Sequence, residues 1–91
     1  MKIGIIGAGK VGCSIGKYLT EHGFSVAGYC SKSKKSVEEA ATFTNTKAYD
    51  SLAELVAEST ILFLTTPDGA LKSVWNELKK ESIQNKIVCH F

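Results

Sequence analysis

The chain contains no arginine. Its eleven basic residues are all lysines, scattered from Lys2 to Lys86, and only Lys32, Lys34 and Lys35 form a cluster of three. Nine acidic residues leave a formal charge of +2. A nucleic-acid face needs a long basic stripe, so this distribution argues against nucleic acid as a partner. Cysteine is sparse too. Cys13, Cys30 and Cys89 are far apart, no C-x-x-C pair exists, and His22 and His90 stand alone. Neither a disulfide framework nor a metal site is expected, and a reducing cytoplasm is the default location. No apolar run approaches the ~20 residues of a membrane span. The sequence enters "MKIGIIGAG" directly, without the apolar core of a signal peptide. No membrane partner is expected.

Ninety-one residues, 44% hydrophobic and 22% charged, suit one small globular domain without a second core. Short apolar runs alternate with amphipathic stretches along the whole length. "KIGIIG" (2–7), "FSVAGYC" (24–30), "KAY" (47–49), "TILFLTT" (60–66) and "KIVCHF" (86–91) read as strands. Residues 10–22 place Val11, Ile15, Tyr18 and Leu19 on one helical face. "SVEE" (36–39) and "SLAE" (51–54) carry the Ser-to-Glu spacing of a capping box at a helix start. Asp68 caps a fourth helix over 69–81, with Leu71, Val74, Trp75 and Leu78 as its stripe. Strand–helix alternation with short connections predicts an α/β domain, a doubly wound parallel sheet of about five strands. Right-handed crossovers favour the order 3-2-1-4-5, with ligands at the carboxyl ends of the strands.

"GIIGAGKVG" (4–12) admits two counts. From Gly4 it approximates an ATP-type phosphate loop. That loop needs a hydroxyl after its lysine to hold magnesium, and Val11 follows Lys10. It also needs a strand ending at Gly4, whereas Ile5 and Ile6 continue the strand. From Gly7 it is G-x-G-x-x-G, the turn that carries a dinucleotide. Gly7 makes the tight turn, Gly9 lets backbone approach a diphosphate, and Gly12 lets the helix pack on the strand. Ala8, Lys10 and Val11 complete the turn. The dinucleotide count is the one the chain obeys.

The end of the second strand discriminates between dinucleotides. NAD sites place an acid there. This chain offers Tyr29, Cys30, Ser31, Lys32 and Ser33, hydroxyls and an ammonium suited to a 2′-phosphate. NADP is therefore favoured over NAD. In "TTPDG" (65–69), Pro67 ends the fourth strand. Thr65 and Thr66 would lie over the cofactor, and Asp68 reads as a helix cap rather than a catalytic acid. His90 ends the last strand on the ligand edge and is the one candidate general acid. Cys30 and Cys89 read as small core hydrophobes, His22 as a helix C-terminus, and Trp75 as core.

"MKIGIIGAGKVG", "CSKS", "TTPD" and "IVCHF" together resemble the N-terminal Rossmann-like domain of a pyrroline-5-carboxylate-reductase-like family of oxidoreductases. Ketopantoate reductase, 6-phosphogluconate dehydrogenase and the deazaflavin-dependent NADP reductases look like more distant relatives. The resemblance covers the whole sequence. It implies the NADP-binding part of a larger oxidoreductase acting on a small imine or carbonyl substrate. Such a protein forms a homodimer through a helical C-terminal domain. The glycine turn maps onto Gly7, Gly9 and Gly12, the 2′-phosphate loop onto Ser31, Lys32 and Ser33, and the nicotinamide loop onto Thr66, Pro67 and Asp68. Relatives often carry Arg in the second loop, which loosens the NADP preference here. Hydride transfer also needs a wall that shields the substrate from water, and these residues supply none. A non-enzymatic nucleotide-binding module is the alternative reading.

Overall fold

Ile3–Ile6 forms β1, buried at every position, as a central strand covered on both faces must be. The computed structural model describes residues 2–65, 68–80 and 86–90, with the backbone alone at 68–71 and 90. After β1 come α1 (Lys10–Glu21), β2 (Val26–Cys30), α2 (Lys34–Thr44), β3 (Lys47–Ala48), α3 (Leu52–Glu58), β4 (Ile61–Leu64), α4 (Asp68–Leu78) and β5 (Ile87–His90). The five strands are parallel in the order β3-β2-β1-β4-β5, the predicted topology. β1, β2 and β3 are one or two residues shorter than their apolar runs, the usual fraying at element ends. Among the described residues, no helix is long and apolar enough to cross a membrane.

Alternation along the strands divides the core in two. Ile3, Ile5 and Tyr29 face α1 and α2, meeting Val37 and Ala40, with Cys13 and Leu19 alongside. Ile6, Cys30, Leu62 and Leu64 point the other way, onto Leu55, Val56, Val74 and Leu78 of α3 and α4. Burying each such aliphatic side chain contributes roughly 1.5–3 kcal/mol.

Four local expectations are corrected. The buried residues of α1 are Gly12 and Gly16, while Val11 and Tyr18 are 53% and 60% exposed. The glycines let the helix lie close on the sheet, so its inner face is turned by one residue, about 100°, from the apolar stripe. The cap of α2 is Ser33, whose hydroxyl accepts from the Ser36 N–H, so that helix starts three residues before the expected box. Ser51 does sit at the N-cap of α3 but makes no side-chain cap bond. Trp75 is 38% exposed rather than core, because Val74 and Leu78 already take the inward positions of α4.

Candidate functional site

The register carries the carboxyl ends of the central strands to one edge. Ile6 pairs with Cys30 on one side and Leu64 on the other, and Leu64 pairs with His90. Two further backbone bonds extend this alignment, from Gly7 N–H to the Cys30 carbonyl and from Thr65 N–H to the Ile6 carbonyl, each 2.9 Å. Gly7, Ser31 and Thr65 therefore stand side by side where the sheet ends.

Each glycine of the turn has its own reason. Gly7 has φ 108°, a left-handed conformation that strains any residue with a Cβ. At Gly12 a Cβ would meet the Gly7 carbonyl oxygen at 2.5 Å and the Thr65 hydroxyl at 2.9 Å, so close packing of helix on strand excludes one. Gly9 differs. Its φ of −79° and ψ of −166° suit any residue, and a Cβ there would meet nothing within 4 Å. Neither backbone nor packing demands glycine at that position.

What lies above Gly9 is a cavity of about 270 Å³, walled by residues 7–11 of the turn and by Ser31, Ser36 and Thr65. The first bond of α1 runs from Cys13 N–H to the Gly9 carbonyl at 2.9 Å. The N–H groups of Lys10, Val11 and Gly12 precede it and find no acceptor inside the helix. With the helix dipole behind them they form a concave surface suited to an anion.

A second cavity of about 180 Å³ adjoins the first at Ser31 and reaches Lys32, Asp50, Leu52, Val74 and Glu77. Lys32 donates from Nζ to Ser73 Oγ at 3.2 Å, so its ammonium leans toward α4 and away from the glycine turn. Ser33 is occupied as the cap of α2 and shares a 3.0 Å hydroxyl contact with Ser36. Thr65 donates toward the carbonyls of Ile6 and Gly7, both at 3.2 Å. Its hydroxyl braces the turn from within the cavity wall. Tyr29 is fully buried and its hydroxyl donates to the Gly12 carbonyl at 2.7 Å, so it offers nothing to the cavity. Burial pushes the Cys30 thiol above its usual range, with Glu77 and Asp50 adding to the shift. That fits a packed hydrophobe rather than a reactive thiol. Cys13 points its thiol at the Ala8 carbonyl, 3.7 Å away.

Thr66 and Pro67 lie outside the described residues, and so do the side chains of Asp68 and His90; Asp68 opens α4 and His90 ends β5. Ser36, Asp50 and Glu77 were not anticipated. Ser36 carried a signal, since a cap at Ser33 turns it toward the strand ends. Asp50 and Glu77 carried none, because they reach the edge only through the crossovers.

Comparison with known proteins bears on this geometry. A family model described as "NADP oxidoreductase coenzyme F420-dependent" matches residues 2–90. No curated protein sequence matches the chain at a significant level. Among solved structures, arogenate dehydrogenase of Synechocystis superposes with a TM-score of 0.86 at 26% identity, over 99% of this chain and 32% of that one. An imine reductase of Bacillus cereus gives 0.81 at 17% identity, over 99% and 31%. A variant imine reductase of Myxococcus stipitatus, solved in complex with NAD+, gives 0.78 at 21%, over 96% and 28%. The chain thus spans about a third of the length of these proteins, 28–32%, and shares their fold.

Proposed function

The chain belongs to the family described as coenzyme F420-dependent NADP oxidoreductases, and on that premise we propose that it is the NADP(H)-binding part of an oxidoreductase. The deazaflavin-dependent reductases, placed among distant relatives by motif resemblance, are thus its own family. The observation that carries the proposal is Gly9, a glycine whose missing Cβ borders open cavity rather than protein. A diphosphate fits there, because Gly9 leaves room and the N–H groups of residues 10–12 face it.

In this reading Gly7, Ala8, Gly9, Lys10, Val11 and Gly12 hold the diphosphate through their backbone. Ser31 and Ser36 line the same cavity and would accept the adenosine ribose and its 2′-phosphate. Lys32 and Ser33 belong to that loop, Lys32 as a point charge that must leave Ser73 to reach the phosphate. In the same reading Thr65, Thr66, Pro67 and Asp68 would stand beside the nicotinamide. The bound coenzyme would supply a hydride to, or accept one from, an imine or carbonyl substrate. The chain's own part is to bind and orient it. Shielding of the substrate, the general acid (His90 is the candidate) and dimer contacts belong to the complete oxidoreductase. Calorimetric titration with NADPH and NADH tests the proposal. Tighter binding of NADPH is expected; no binding, or tighter binding of NADH, overturns it.

A further inference from the structure

We propose that Tyr29 is a positioning residue for the diphosphate of the coenzyme. Its buried hydroxyl ties the first turn of α1 to β2, so the helix start facing the cavity and the strand leading to Ser31 form one rigid unit. The inference rests on the coenzyme reading above.

Tyr29 has no solvent exposure, and its hydroxyl donates to the Gly12 carbonyl at 2.7 Å. A phenylalanine would fill the same space with apolar surface alone. Room for the hydroxyl comes from Gly16, where a Cβ would overlap the phenolic oxygen and lie 2.9 Å from ring Cζ. Gly12 in turn is the glycine seated against Gly7 and Thr65. The first turn of α1 is thereby fixed from two directions, by the end of β1 below and by Tyr29 at its flank. Burial pushes the phenol up to about 12, so it remains a donor across the physiological range. Hydrogen bonds weaken quickly with distance and angle. Amides that must meet a diphosphate together therefore gain from a helix start that cannot shift.

Tyr29→Phe keeps the ring and removes the hydroxyl's bond to the Gly12 carbonyl together with its hydrogen bond to Thr44. NADPH and NADH dissociation constants should rise by the same factor, about three- to tenfold, since the diphosphate is common to both. Hydrogen exchange should accelerate at residues 13–16, the first amides bonded within α1, and stay at the wild-type rate in α3 and β4. Unchanged affinity, or exchange accelerated uniformly along the chain, overturns the inference and leaves the coenzyme reading intact. A wild-type protein that binds neither nucleotide overturns both. Should the variant fail to fold, the wild type carries the test: NADPH should slow exchange at 10–13 and at 29–31 together, and protection confined to 10–13 overturns the inference.

Discussion

A Cβ at residue 12 would lie 2.5 Å from the carbonyl oxygen of Gly7, whereas one at residue 9 would touch nothing within 4 Å. The two glycines should therefore fail in different ways when replaced. Gly12→Ala forces helix and strand apart and should cost about 1–3 kcal/mol of stability as an overpacking change, weakening nucleotide binding along with it. Gly9→Val should cost only about 1 kcal/mol, the loss of a favourable N-cap residue, yet abolish binding of NADPH and NADH alike. Thermal unfolding and calorimetry on the two variants separate these effects.

The loop after β2 should control which nucleotide is preferred. Lys32→Glu places a carboxylate where a 2′-phosphate would lie, so NADPH affinity should fall about tenfold or more relative to NADH. Both residues of the Lys32–Ser73 contact are exposed, and fold stability should hardly change. Ser33→Ala, unlike Lys32→Glu, should lower fold stability, which thermal unfolding measures. It removes the cap of α2 and should cost about 1 kcal/mol.

Much of this architecture was legible in the sequence. All five strands and their order followed from the spacing of "KIGIIG", "FSVAGYC", "KAY", "TILFLTT" and "KIVCHF", since parallel topology with right-handed crossovers leaves few arrangements. The glycine turn was legible for the same reason. The inner face of α1 was not, because periodicity scores apolar residues and this helix packs through glycines. Nor was the brace from Tyr29, since a tyrosine in an apolar run carries no sign of where its hydroxyl goes. Asp50 and Glu77 arrive at the edge from separate crossovers, beyond the reach of local pattern.

The two positions of α4 read alike in sequence should separate in the test tube. Leu78 is fully buried and Trp75 is 38% exposed. Leu78→Ala should cost about 2–5 kcal/mol through lost burial and a residual cavity. Trp75→Ala should cost distinctly less, although it removes the larger side chain. Urea unfolding of both variants checks the ranking.

Stability should fall steeply in alkali. Tyr29 and Tyr49 are both pushed up to about 12, primarily by burial. The folded chain then holds these protons more tightly than the unfolded one, so the contribution is full below pH about 10 and disappears as pH rises toward 12. For Tyr29 a two-unit shift corresponds to about 3 kcal/mol, and Tyr29→Phe should flatten the alkaline limb. In acid the partner of Tyr49 acts. Glu58 accepts the Tyr49 hydroxyl hydrogen bond, which holds its carboxyl below the ordinary range. That contribution is present at neutral pH and is lost as pH falls through the folded value.

Amide chemical-shift mapping during an NADPH titration tests the central claim most directly. The account predicts the largest perturbations at residues 7–12, with Ser31 and Ser36 following in the same saturable transition. Perturbations concentrated elsewhere, for instance at the Tyr18–Phe43 groove on the outer side of α1, or none at saturating coenzyme, would contradict it.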